Sequence, residues 1–381
     1  MKRILFDAEH EDYRHSVRAF LKKDVVPCYP DWESAGIVPR TLFTGLGSLG
    51  ALSIAIPPEY GGAGIHDFRY SVILQEEAAA AAVAPALLGP TLQSDVCLPY
   101  LLTLATDEQK KRWLPKIASG ELITAIAMTE PGTGSDLSAI RTKAVKDGDD
   151  YVVDGAKTFI TNGINADLII TAVRTGPHPH QGLSLLMVER DTEGFQRAGR
   201  LHKVGMHAQD TAELAFTGAR IPAANLLGEE GGGFKALTRN LSQERLSIAV
   251  SALSQATAAL DWTLTYVRER HAFGQPLAAQ QTVRHRLAEL ATATDVAQQY
   301  LDRSVSECNE KTLTPQDAAK AKWWCTELQG QVLDACVQLH GGHGYMLEQA
   351  VARAWADSRA TRIYGGTTEI MKEIIGRSLV A

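Results

Sequence analysis

Two stretches of this chain combine residue types that could do chemistry. In one, Leu237, Leu241, Glu244 and Ile248 follow at intervals of four, three and four, a spacing that sets the carboxylate on the apolar stripe of a helix. Burial raises the pKa of such a group and strengthens it as a base toward a weak carbon acid. The same placement suits a structural ion pair, with neighbouring Arg245 or another arginine, because ion-pair networks also bury carboxylates. In the other stretch, Thr129-Glu130-Pro131-Gly132-Thr133-Gly134-Ser135-Asp136 follows an apolar run and joins hydroxyls to glycines that let backbone approach a ligand. That lining suits a polar ring edge and a phosphate, although an isolated loop of this kind is equally a turn.

Other matches carry less. Gly45-Leu46-Gly47-Ser48-Leu49-Gly50 has the G-x-G-x-x-G spacing, but that motif works only after a strand and at a helix N-terminus. Here a helix precedes it and Pro57-Pro58 follows, so the glycines are read as structural. His178, His180, His202 and His207 lack the spacing and companion carboxylates of a zinc or iron site, and are read as exposed histidines in a turn-rich region. Five cysteines, an odd number without C-x-x-C spacing, are read as reduced and mostly buried.

The elements that must position these residues fall in the order α, β, α. Glu11 to Val26, Arg69 to Ala84 and Asp107 to Ser119 carry apolar residues at helical spacing. From Leu122 the pattern becomes short β-prone runs: Ile123 to Met128, Tyr151 to Val153, Thr158 to Thr161, Leu168 to Val173, Leu183 to Val188 and Glu213 to Phe216. Gly, Asp, Asn and Pro separate them, which predicts a compact antiparallel β domain. After Gly231-Gly232-Gly233 long helices return, one starting at Thr314-Pro315 and stopping at Gly341-Gly342. The expected domains are residues 1–121, 122–228 and 229–381.

A 381-residue chain exceeds one usual hydrophobic core, and 45% hydrophobic with 22% charged residues is ordinary globular composition. The net charge of −6 offers no general attraction to nucleic acid or anionic lipid. Ile4-Leu5-Phe6 is too short for a secretory signal, and Ala78 to Leu88, broken by Pro85, is too short to span a bilayer. These features predict a cytoplasmic protein.

Five segments in order resemble the acyl-CoA dehydrogenase family: Met128 to Asp136, Phe159 to Gly163, Glu269 to Gly274, Gln338 to Tyr345 and Ile363 to Ile370. Leu241 to Leu246 and Tyr364 to Thr367 look most like the long-chain branch. The resemblance implies a mainly α fold with a central β domain: an N-terminal helical domain, a middle antiparallel β domain and a C-terminal four-helix bundle. It implies FAD, contacted by Thr129, Ser135, Phe159 and Thr161 of one subunit and by Arg270, Phe273, Gln281, Gln338 and Gly342 of its neighbour, with Thr367 and Glu369 closing over it. Phe159 stands where many relatives have Trp.

Many members of the family carry a catalytic glutamate immediately after the tyrosine of the C-terminal motif, where this chain has Gly365. The long-chain and isovaleryl branches instead carry it on the helix, at the position of Glu244. The resemblance therefore implies that Glu244 takes the α proton of a fatty-acyl-CoA while the β hydrogen passes as hydride to flavin N5, giving the trans-2-enoyl thioester. The backbone N–H of Gly365 and a ribityl hydroxyl would stabilise the enolate. Arg245 would steady the substrate. Electron-transfer flavoprotein as acceptor and a homotetramer or dimer are implied too. The rivals are an acyl-CoA or nitroalkane oxidase on the same scaffold and a non-catalytic acyl-CoA-binding subunit, the latter supported only by the Gly365 departure.

Overall fold

The computed structural model describes residues 3–380. Seven helices open the chain: α1 (Ala8–Phe20), α2 (Tyr29–Ala35), α3 (Arg40–Ser48), α4 (Arg69–Ala80), α5 (Ala84–Thr91), α6 (Leu98–Leu104) and α7 (Asp107–Ala118). A π turn, Leu92–Cys97, joins α5 to α6. The run expected from Arg69 to Ala84 breaks at Ala82, which adopts a φ of +58°, and Pro85 opens the next helix. The alanines carry no stop signal of their own, so the break is invisible in their periodicity. Gly45 and Gly47 of the G-x-G-x-x-G match lie inside α3, where a Cβ on Gly47 would overlap the Ser119 carbonyl. Gly47 thus serves close packing against the end of α7, and Gly45 close packing against the Phe20 ring of α1.

Eight strands follow: β1 (Thr124–Ala127), β2 (Lys143–Asp147), β3 (Asp150–Thr161), β4 (Leu168–Arg174), β5 (Leu183–Glu189), β6 (Phe195–Arg200), β7 (Thr211–Pro222) and β8 (Leu226–Leu227). They form one sheet in the order β6-β7-β3-β2-β4-β5-β8, with β1 beside β4. Most pairings are antiparallel; β1–β4 and the single β2–β4 contact are parallel. The β2–β3 hairpin between β1 and β4 gives the chain enough length to return in the same direction. The runs at Tyr151 and Thr158 belong to one strand. Neither β2 nor β6 appears among the β-prone runs, because each buries a single side chain, Ala144 or Phe195, and so leaves no alternation to detect.

The last third begins with α8 (Gly233–Glu269), whose 37 residues span roughly 55 Å. A two-stranded turn (β9, His271–Ala272; β10, Gln275–Pro276) leads to α9 (Gln281–Asn309) and α10 (Pro315–His340), followed by α11 (Ala350–Ser358) and α12 (Thr368–Val380). Thr314 caps α10 by accepting the Asp317 N–H, and Gly341 ends it at a φ of +58°. The core of this bundle, built on Leu246, Val250, Leu253 and Val332, reaches into the first domain through Phe68 and Val72. Thus α8 is packed from both sides where the candidate site lies.

Candidate active site

Glu244 sits in the fourth turn of α8 and is buried. Its Oε1 accepts a 2.8 Å hydrogen bond from the Tyr100 hydroxyl of α6. Burial pushes the Glu244 carboxyl up to about 7, against the Tyr100 hydrogen bond and the Arg245 charge, which pull it down. A group poised there changes protonation near neutral pH, as a general base requires.

Arg245 is also buried, yet it forms no ion pair with Glu244 or with any other carboxylate among the described residues. Its Nε has no hydrogen-bond partner. The guanidinium instead faces the 364–366 turn, with Nη2 3.9 Å from where a Cβ on Gly366 would stand. The Glu244–Arg245 ion pair that the sequence left open is therefore not formed.

Gly365 meets the same helix. It has a φ of +67°, and a Cβ placed on it would strike Ile248 Cδ1, one turn beyond Glu244. Lys322 of α10 holds the turn from behind, donating through Nζ to the Tyr364 carbonyl at 2.6 Å and also to the Gly366 carbonyl. Burial, with help from the Arg245 charge, brings Lys322 down to about 7. Sequence reasoning missed both Lys322 and Tyr100. Lys322 could have been found by the test that exposed Glu244, since Ala319, Thr326 and Gln329 share its buried stripe. Tyr100 gave no such signal, being one aromatic residue in an apolar helix.

The loop after β1 lies against β3. Thr129 receives the Thr158 N–H at 2.9 Å on its carbonyl, which brings Phe159 and the Thr129–Asp136 loop together. The base of the loop is fixed by buried Glu130, which pairs with Lys157 at 2.9 Å and accepts the Arg141 and Thr142 N–H groups at 2.8 Å. Phe159 adopts a φ of +61° where the β3–β7 register slips, and 67% of it is exposed. An aromatic ring held outward by a strained backbone is a feature to be explained by what covers it. Thr161 closes the same strand two residues later.

Arg270, Gln338 and Gly342 line a second cleft, of about 450 Å³, together with Tyr266 and His340. Phe273 stands at the tip of the neighbouring turn, 97% exposed, and Gln281 begins α9. Thr367 and Glu369 sit at the start of α12, where Thr367 accepts the Ile370 N–H. None of Thr129, Ser135, Phe159 or Thr161 lines that cleft, so within one chain the predicted cofactor residues form separate groups. A larger cavity of about 560 Å³, lined by Asp95, Pro99, Asn240 and Gln243, runs beside α8 but is not lined by Glu244. The described residues contain no cluster of three or more His, Cys, Asp or Glu that could hold a metal, and no helix long and apolar enough to cross a membrane.

The long-chain specific acyl-CoA dehydrogenase, mitochondrial, of Sus scrofa is 44% identical over 381 residues, covering 99% of this chain and 88% of that protein. The chain belongs to the acyl-CoA dehydrogenase family. Its models match in order: the acyl-CoA dehydrogenase N-terminal domain over residues 7–121, the middle domain over 125–219 and the C-terminal domain over 231–380. The crystal structure of acyl-CoA dehydrogenase from Geobacillus kaustophilus is 48% identical, with a TM-score of 0.97 and full coverage of both chains. That of a glutaryl-CoA dehydrogenase from Mycobacterium smegmatis in complex with FADH2 is 27% identical, with a TM-score of 0.91 over 98% of this chain and 95% of that one. Members of the family are FAD-dependent oxidoreductases of fatty-acyl-CoA thioesters, and this chain is one of them.

The residues present fit the cofactor. Beside exposed Phe159, a Cβ on Gly132 or Gly134 would meet no atom within 4 Å, and the N–H groups of Gly134 and Ser135 have no acceptor among the described residues. Donors, hydroxyls and an uncovered aromatic face are what a flavin ring and its pyrophosphate require.

Proposed function

We propose that this family member dehydrogenates a fatty-acyl-CoA to the trans-2-enoyl-CoA with Glu244 as the base. The observation that carries this reading is the buried Glu244 carboxylate, held near neutrality, with Arg245 unpaired beside it and Gly365 against Ile248, one turn further along α8. The α C–H bond breaks with its proton going to Glu244, and the Gly365 N–H donates to the thioester oxygen as negative charge develops there. Lys322 fixes the peptide that carries this donor through the Tyr364 carbonyl, and the rest of the turn through the Gly366 carbonyl. Arg245, with an unsatisfied donor, steadies the bound thioester. FAD, held by Thr129, Ser135, Phe159 and Thr161, supplies the hydride acceptor.

Arg270, Phe273, Gln281, Gln338 and Gly342 complete a neighbour's FAD site, with Thr367 and Glu369 closing over it, in a homotetramer or dimer. That Arg270, Gln338 and Gly342 line a cleft to which the Thr129 loop contributes no residue supports this sharing. Electron-transfer flavoprotein removes the electrons, and the enzyme works in the cytoplasm. Anaerobic bleaching of the flavin across a series of straight acyl-CoAs tests the reaction and ranks chain lengths. Failure of every acyl-CoA to bleach it would overturn the reading.

A further inference from the structure

We propose that Tyr100 is the positioning residue of the base, directing the proton to one oxygen of Glu244 and holding the carboxylate ready to receive it. This rests on Glu244 being the base. The Tyr100 hydroxyl donates to Oε1 at 2.8 Å, and Glu244 makes no other hydrogen bond among the described residues. One oxygen is committed to a donor and the other, Oε2, is left for the substrate. Both side chains are buried, so water does not compete for the contact.

The donor role is fixed by chemistry. Burial and the neighbouring carboxylate drive the Tyr100 hydroxyl well above its ordinary range, so it keeps its proton at every pH at which the enzyme works. A neutral donor stabilises the ionised carboxylate more than the acid and so favours the form that can accept a proton. The other groups facing Glu244 cannot substitute. Arg245 lends charge but no hydrogen bond, and the Cys97 thiol, pushed up to about 12 by burial, remains neutral.

The backbone also serves this contact. The π turn Leu92–Cys97 adds a residue to the helical turn just before α6, and Pro99 lies within the first turn of α6. Such a bulge rotates every later side chain relative to an uninterrupted α-helix, and π turns are frequent at functional sites. Asn240, one turn before Glu244, partly offsets the rise of the Tyr100 hydroxyl.

Tyr100→Phe removes only the hydroxyl and keeps the ring in its apolar setting. In anaerobic stopped-flow of the FAD-loaded enzyme, the midpoint of flavin reduction against pH should rise by on the order of one unit, with the high-pH plateau retained. The protonated-carboxyl infrared band that disappears in Glu244→Gln should titrate with the same upward shift, with or without substrate. Replacing Tyr100 by 3-fluorotyrosine, a stronger donor of nearly equal size, should move both midpoints down and covers the case in which the phenylalanine variant does not fold. A rate lowered equally at all pH values, with the infrared midpoint unmoved, overturns the proposal. If Glu244→Gln itself reduces flavin normally, the base assignment fails instead, and the infrared midpoints still report whether Tyr100 holds that carboxylate.

Discussion

Ile248 occupies the space that any side chain at position 365 would need: a Cβ on Gly365 would overlap Ile248 Cδ1. Ile248 lies one turn beyond Glu244 on α8, so the helix and the turn address the same small volume from two sides. In this chain α8 carries the carboxylate, at Glu244, and Ile248 fills the space beside Gly365.

Glu244→Gln keeps the size of the side chain and its ability to accept from Tyr100, but takes up no proton. It should bind FAD and acyl-CoA normally while anaerobic flavin reduction slows by roughly 10²–10⁴-fold, the usual contribution of a positioned base. A wild-type reduction rate in stopped-flow would remove Glu244 from the mechanism.

Moving the carboxylate to the turn should need two changes. Gly365→Glu in the Glu244→Gln background must place a side chain at a φ of +67° against Ile248, a backbone conformation that costs a non-glycine residue about 1–3 kcal/mol. Adding Ile248→Ala opens the space. The triple variant should recover measurable flavin reduction, and the double variant much less. Equal recovery in both would show that Ile248 does not obstruct position 365.

The fold was legible where the sequence carries periodicity or punctuation. Thr314-Pro315 and Gly341-Gly342 bracket α10, and the interval Leu237, Leu241, Glu244 marks a buried carboxylate before any neighbour is known. Strands β2 and β6 were not, because their exposed residues outnumber the buried ones. The partners of the site escaped for a different reason. Tyr100 is 144 positions from Glu244 and Lys322 is 42 from Tyr364, separations that no local pattern encodes. Phe159 as a flavin contact is an expectation from family likeness alone; its left-handed backbone and exposure have no signature in residue type.

Phe159→Ala removes a ring that is 67% exposed and therefore contributes little to the core. If the ring covers the flavin, the apo protein should melt within about 1 °C of wild type, a shift in keeping with a surface change of under 0.5 kcal/mol. FAD should be lost readily on gel filtration. Wild-type flavin retention would place the ring outside the cofactor site.

Lys322→Met removes the donor that holds the Tyr364 and Gly366 carbonyls but keeps the length and apolar stem of the side chain. Because burial already brings Lys322 down to about 7, loss of its charge should cost little stability. Loss of the clamp should instead lower the limiting rate of flavin reduction, since the Gly365 N–H is then free to move. Crotonyl-type product analogues, which depend on a donor at the thioester oxygen, should bind more weakly. A variant that melts early but reduces flavin at the normal limiting rate would make Lys322 a stability residue only.

The raised carboxyl of Glu244 has a consequence for stability that does not depend on turnover. In the unfolded chain a glutamate titrates near its ordinary value of 4.5, whereas in the folded protein burial raises Glu244 to about 7. Below 4.5 both states are protonated and the group is neutral toward folding. Between 4.5 and about 7 the folded state binds more protons, so stability falls as pH rises, and the full cost remains above that window. The shift corresponds to about 2–4 kcal/mol. Glu244→Gln cannot ionise and escapes that cost. Its melting temperature relative to wild type should therefore climb between pH 5 and pH 8, whatever the offset at pH 5, with both proteins carrying FAD. A difference that stays flat across this range would mean that Glu244 is not held near neutrality, and its fitness as a base would then have to come from bound substrate rather than from the burial already present in the fold.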